Sequence, residues 1–118
     1  MPMPAKHLQQ MQKMAETVSA YGELTGDETV RGIGQILGDV KFRAVLNEFH
    51  DSPESRRKAS RNATAYCKRQ GVKVPRGIKV TLKDNNWRAS LCAKVEVFGV
   101  GIEYGAHYDS ESGFGWGC

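Results

Sequence analysis

The hydrophobic period of this 118-residue chain changes at Gly71. Upstream, apolar side chains recur every three or four residues, as on one face of an α-helix. Downstream they alternate, as on a half-buried strand. Leu8, Met11, Ala15 and Val18 share one stripe, widened by Met14, and this predicts a helix over about 4–21. Pro2 and Pro4 suit its start, and Gly22 reads as its stop, with 22–27 a loop. Val30, Ile33, Ile36 and Leu37 keep helical spacing among Gly32, Gly34 and Gly38, which lower helix propensity. Those glycines resemble a dinucleotide loop only loosely, because such a loop follows a hydrophobic strand and Asp27-Glu28-Thr29 is not one. Close helix packing or a broken helix is the plainer reading.

Phe42, Val45, Leu46 and Phe49 predict a helix over 39–50 that is central to the core. Pro53 ends it by pushing Ser52 out of the α region. Asp51 or Ser52 can cap the next helix, over 53–70, with Glu54 in its positive first turn. Ala59, Ala63, Tyr66 and Cys67 form the apolar side of that helix. Arg56, Arg57, Lys58, Arg61, Lys68 and Arg69 make it strongly basic, and Gly71 terminates it.

Beyond Gly71 the period is two. Ile78, Val80 and Leu82 alternate with Lys79, Thr81 and Lys83, and Asp84-Asn85-Asn86 is a turn. A second strand over 87–98 puts Trp87, Ala89, Leu91, Ala93, Val95 and Val97 on one side. The phase breaks at Gly99, for Val100, Ile102 and Tyr104 occupy even positions, so a turn or bulge there and a third strand to about Tyr108 follow. Residues 109–118 have turn composition and no period. The expected fold is α+β: three to four N-terminal helices, then a small antiparallel sheet of two to three strands. Residues 1–98 hold the helices and the hairpin. Residues 99–118 form a glycine- and aromatic-rich acidic tail, read either as a third strand or as cargo.

Charge is segregated. Residues 1–50 carry five Lys or Arg against six Asp or Glu, 51–94 carry twelve against three, and 95–118 carry none against four. Either the tail folds back on the basic middle, or the middle attracts an anionic partner. The basic helix has three readings: a solvated surface, a phosphate-contacting helix, or a face that docks on an acidic protein. Nucleic acid is the less favoured partner, since no helix-turn-helix spacing, zinc-finger ligands or aromatic RNP run accompanies the charge.

A hydrophobic content of 40% with 25% charged residues describes a globular rather than a disordered chain. No apolar run is long enough to span a bilayer, and the N-terminus has no apolar segment of signal-peptide type, so a cytoplasmic protein without a membrane partner is expected. Cys67, Cys92 and Cys118 are odd in number and widely spaced, which suggests neither a disulfide framework nor a metal site. His107, Asp109 and Glu111 share a strand face, but a turn-rich tail offers little to hold a metal, and none is assigned. His7 and His50 read as surface residues. No base can be nominated for Cys67 or Cys92, so the chain is expected to be no enzyme and to need no cofactor.

An apolar helix from Phe42 leads into Asp51-Ser52-Pro53-Glu54 and a helix ending Cys67-Lys68-Arg69-Gln70-Gly71. Val72-Lys73-Val74-Pro75-Arg76-Gly77-Ile78-Lys79-Val80, a strand and Asp84-Asn85 follow. This order, covering less than half the chain, resembles the nitrile hydratase-like leader region of precursors of ribosomally synthesised, post-translationally modified peptides. The resemblance implies a folded leader, about 1–94, recognised by a maturation enzyme, and a C-terminal substrate that is altered and released, with a product that could be exported. The chain lacks the cysteine-rich metal loop of a nitrile hydratase, so that activity is not implied. It also lacks a Gly-Gly cleavage signal, Phe98-Gly99-Val100-Gly101 being the nearest approach. In such a tail Ser110 and Ser112 are candidates for dehydration and Cys118 for addition to the product, as its thiolate. Tyr104-Gly105, Tyr108 and Trp116 are further points of modification. The alternative is that the glycines serve turns, the aromatics finish a small core and Cys118 is incidental.

Overall fold

Helix α1 (Ala5–Thr25) runs through Gly22 instead of stopping there. Gly22 is a contact rather than a terminus, because a methyl group on it would lie 2.9 Å from the backbone nitrogen of Arg31 in α2 (Glu28–Leu37). Gly34 of α2 is equally close to α1, its absent methyl falling 3.1 Å from the nitrogen of Ser19. A glycine inside a helix costs about 1 kcal/mol against alanine, which close packing of the two helices offsets. The terminus of α1 is instead Gly26, left-handed at φ 71°, whose N–H bonds to the Gly22 carbonyl at 2.9 Å. The Asp27 carboxylate then caps α2, accepting from the N–H groups of Thr29 at 2.9 Å and Val30 at 3.2 Å. The expected 22–27 loop thus shrinks to the junction at Gly26 and Asp27.

A computed structural model describes residues 3–83, 88–97 and 100–118, with side chains except at 94–97 and 100–102. Helix α3 (Val40–Asp51) is capped by Asp39, whose side chain accepts from Lys41 N–H at 2.8 Å. The single helix expected over 53–70 is two, α4 (Pro53–Arg61) and α5 (Ala63–Arg69). Asn62 breaks it with φ −155° and ψ 85°, and its side-chain oxygen caps α5 by accepting from Ala65 N–H at 3.1 Å. An Asn cap contributes about 1 kcal/mol, so the break supplies part of its own stability.

Four strands follow, β1 (Ile78–Lys83), β2 (Arg88–Val97), β3 (Val100–Asp109) and β4 (Gly113–Trp116), all antiparallel in the order β1-β2-β3-β4. The fold is therefore α+β with one helix and one strand more than the upper expectation. Strand β4 was hidden in a stretch without visible period because Gly113 and Gly115 lack the side chains that would alternate with Phe114 and Trp116. The turns expected at Asp84-Asn85-Asn86 and near Gly99, and Trp87, lie outside the described residues.

The core lies between the helices and one face of the sheet. Ile78, Val80, Leu82, Ala89, Leu91, Ala93, Ala106 and Tyr108 are buried from the sheet side. Met11, Met14, Val18, Ile36, Leu37, Phe42, Val45, Leu46 and Phe49 are buried from the helix side. Both edge strands meet a helical side chain. The Thr64 hydroxyl accepts from Val80 N–H at 2.9 Å and donates to the Val80 carbonyl at 3.2 Å. The Gln10 side-chain oxygen accepts from Phe114 N–H at 3.1 Å on β4. Helix side chains thereby occupy edge groups that would otherwise be open to another chain.

Candidate interaction surface

The basic residues singled out in the sequence lie on α4 and α5, where their apolar partners Ala59, Ala63, Tyr66 and Cys67 are buried. Arg57, Lys58, Arg61, Lys68 and Arg69 are exposed. Lys58 and Arg61 stand in the last turn of α4, Lys68 and Arg69 in the last turn of α5, where cations complement the helix dipole by about 0.3–1 kcal/mol each. Lys58 also meets Glu54 at 3.6 Å, an exposed i,i+4 pair worth a few tenths of a kcal/mol at most. Glu54 is the only acid on either helix.

Arg56 differs from the other five. It is half-buried and its guanidinium donates to the Phe49 carbonyl at the end of α3, so it fastens α4 to α3. Glu48 organises the same corner, accepting from the Ser55 hydroxyl at 2.8 Å, with the Tyr66 hydroxyl 3.4 Å from its other oxygen. Burial raises the Tyr66 pKa, and the Glu48 carboxylate raises it further. The Arg69 guanidinium sits 5.9 Å from the centre of the Tyr66 ring. Between the α4–α5 junction and β1 runs a polar cleft of about 330 Å³, lined by Ser60, Arg61, Asn62, Thr64, Lys79 and Thr81 among others. Exposed Lys79 extends the positive face from the helices onto the sheet.

The tail residues are placed by the sheet. Ser110 and Ser112 lie in the turn joining β3 to β4, Ser112 exposed and Ser110 partly so. Asp109 shapes that turn, its carboxylate accepting from Glu111 N–H at 2.8 Å and Ser112 N–H at 3.3 Å. These bonds hold its pKa below the ordinary carboxylate value, with Arg88 and His107 adding smaller effects. His107 Nδ1 lies 3.0 Å from the Gly117 carbonyl, its ring over Gly115. Among the described residues no group of three metal-ligating side chains is assembled.

Cys118 is not the free thiol expected. It forms a disulfide with Cys92, with a Cα–Cα separation of 6.2 Å. Cys92 sits opposite Gly105 in the β2–β3 register, and Gly117 N–H bonds to the Gly105 carbonyl at 2.9 Å, which carries residue 118 across β3 to Cys92. Cys67 is buried, and burial pushes its thiol up to about 11, so it stays protonated near neutral pH.

His7 and His50 are not simple surface residues. His7 is buried at 6% exposure, and its Nδ1 lies 2.8 Å from the Tyr108 hydroxyl. His50 Nε2 lies 2.5 Å from the same hydroxyl. One hydroxyl has one proton, so with neutral rings Tyr108 donates to one imidazole and accepts from the N–H of the other. Burial lowers the His50 pKa, with the charges of His7 and Arg56 among the further causes, and burial raises Tyr108 to about 12.

A second concavity had no signal in the sequence beyond its scattered aromatics. It is a groove of about 460 Å³ between α1, α2 and the β3–β4 end of the sheet. Tyr21, Tyr104 and Trp116 line it with Val18, Val30 and Ile33. Comparison with protein-family models, curated proteins and solved structures finds no match for this chain.

Proposed function

We propose that this protein is a small non-enzymatic binding module that docks an acidic surface of a partner protein on its α4–α5–β1 face. The reading is carried by one observation: Arg57, Lys58, Arg61, Lys68 and Arg69 are all exposed on two consecutive helices with a single acid between them. Helix-dipole complementarity accounts for some of this charge but not for Arg57, which is outside the last turn of α4. An arrangement of this kind steers an anionic partner and loses affinity as salt screens it. The test is retention of the full chain on immobilised poly-L-glutamate and on duplex DNA across a salt gradient, beside an Arg57→Glu/Arg61→Glu/Lys68→Glu variant. Salt-sensitive binding to the polypeptide, lost in the variant, is expected. Salt-insensitive or absent binding sinks the reading, and preference for the duplex transfers it to nucleic acid.

Exposure of Ser112, and in part of Ser110, in the β3–β4 turn favours a second reading, a modified-peptide precursor. Here the folded leader, about 1–94, presents the basic face to a maturation enzyme, and the tail is the substrate. Cys118 would enter such chemistry only after reduction of its bond to Cys92. Intact mass after production together with the neighbouring genes tests it: dehydration at Ser110 or Ser112 supports the precursor, and an unchanged mass counts against it.

A further inference from the structure

The groove between the α1–α2 pair and the end of the sheet has an unusual lining for a surface depression. Three aromatic residues from separate elements converge on it: Tyr21 from α1, Tyr104 from β3 and Trp116 from β4. Tyr21 and Trp116 remain 59% and 55% exposed, so their rings are open to a ligand rather than spent on the core. Val18, Val30 and Ile33 supply the apolar floor. At about 460 Å³ the groove lies within the range of small-molecule sites.

Charge decides what such a groove would take. Among the described lining residues none is a lysine, arginine or histidine; Glu103, which alternates with Tyr104 along β3 and pairs with Lys94 in the register, carries a formal charge. Lys13 lines an adjoining depression that shares Thr17 and Trp116 with the groove. The faces of Trp and Tyr rings are the negative ends of their quadrupoles and attract cations. The Thr17 hydroxyl at its edge already donates to the Lys13 carbonyl at 2.9 Å. The described lining offers an anion no cation, and a cation without N–H donors can be held by the ring faces alone. A quaternary ammonium has no N–H to satisfy and presents methyl groups to the rings.

We propose that the Tyr21–Tyr104–Trp116 groove is a binding site for a free, small quaternary ammonium compound. The cation rests against the aromatic faces and its methyl groups against Val18, Val30 and Ile33. The disulfide stands beside this site, because Gly105 and Gly117 both line the groove, Gly105 opposite Cys92 and Gly117 preceding Cys118.

Choline, and its neutral isostere 3,3-dimethyl-1-butanol, are titrated into the oxidised 118-residue protein. The Trp116 indole N–H resonance is followed, identified by its loss in Trp116→Phe. Saturable movement with choline, at least tenfold weaker with the alcohol, is expected. Trp116→Ala, which alters an exposed side chain, should weaken choline binding about tenfold while circular dichroism stays unchanged. Equal affinity for the neutral alcohol would overturn the proposal, since the groove would then be a plain apolar pocket. So would absence of any saturable shift, binding seen only with phosphatidylcholine vesicles, or a concentration-dependent shift without ligand that reveals a second copy in the groove.

Discussion

The Tyr108 hydroxyl lies 2.8 Å from Nδ1 of His7, joining the first turns of α1 to the end of β3 across 101 residues of sequence. His50 reaches the same oxygen from α3, so one phenol holds three elements together. Tyr108→Phe keeps the ring and removes the shared group, leaving the buried His7 and half-buried His50 nitrogens without that partner. The expected loss is about 1–3 kcal/mol, read as a lower urea midpoint at unchanged slope. A midpoint equal to wild type would show that the hydroxyl is not a structural link.

The same cluster sets a pH dependence. Burial holds the His50 pKa below its ordinary 6.5. The unfolded chain therefore takes up a proton that native His50 resists, so stability is full above 6.5 and falls as pH drops below that value toward the lower folded one. At the other extreme, Tyr108 is raised from 10.0 to about 12, so stability present below 10 is lost as pH rises between these values. Urea midpoints measured from about pH 5 to 7.5 should decline toward acid, and His50→Gln should flatten the decline. An equally steep decline in that variant would assign the effect to other groups.

Removing the disulfide should weaken the fold without abolishing its topology. Cys92 and Cys118 are 26 residues apart, and opening a loop of that size costs about 3 kcal/mol on chain-entropy grounds. Cys92→Ser, Cys118→Ser and reduced wild type should show similar, lowered melting temperatures. Alkylation without reductant should label only Cys67, and only on unfolding, because that thiol is buried. Labelling of Cys118 in the native, unreduced protein would contradict the pairing.

Gly105 tolerates no side chain. A methyl group there would lie 1.8 Å from the Leu91 carbonyl oxygen and 3.1 Å from the Cys92 Cα, both backbone atoms that cannot step aside. Gly105→Ala should destabilise by about 3 kcal/mol or more, or prevent soluble folding. Gly77→Ala is a useful contrast in contacts, for nothing lies within 4 Å of its absent methyl, although its φ of 90° carries a smaller backbone cost. Equal stability of the two variants would remove the argument from close approach.

Thr64 is the test of edge protection. Thr64→Val preserves shape but removes the hydroxyl that pairs with both backbone groups of Val80. A loss of about 1–2 kcal/mol is expected, with faster amide exchange at Val80 and greater aggregation, and Thr64→Ser should restore most of it. Unchanged exchange at Val80 would mean the edge is protected by other means.

Much of the fold was legible because it depends on local pattern. The stripe of Phe42, Val45, Leu46 and Phe49, and the alternation of Ile78, Val80 and Leu82, report which face is buried whatever that face meets. The errors fall where a side chain answers to a distant neighbour. Gly22 looked like a helix stop and is a contact with Arg31. His7 and His50 looked like surface residues and converge on Tyr108. The exposed basic residues were visible as a cluster, but the separate role of Arg56 depends on the Phe49 carbonyl. The groove could not be read at all, since Tyr21, Tyr104 and Trp116 come to line one depression only when β4 pairs with β3 beside α1.

The sequence by itself determined that helices precede an antiparallel sheet, the buried faces of α1, α3 and β1, and the segregation of positive charge onto residues 51–94. Periodicity, capping chemistry and charge are local properties, and folding preserves them. Only the tertiary structure decided what the tail is built into. Register sets Cys92 opposite Gly105, and β4 brings Cys118 to it. Such a pairing depends on which strands are neighbours, a relation that residue spacing does not encode.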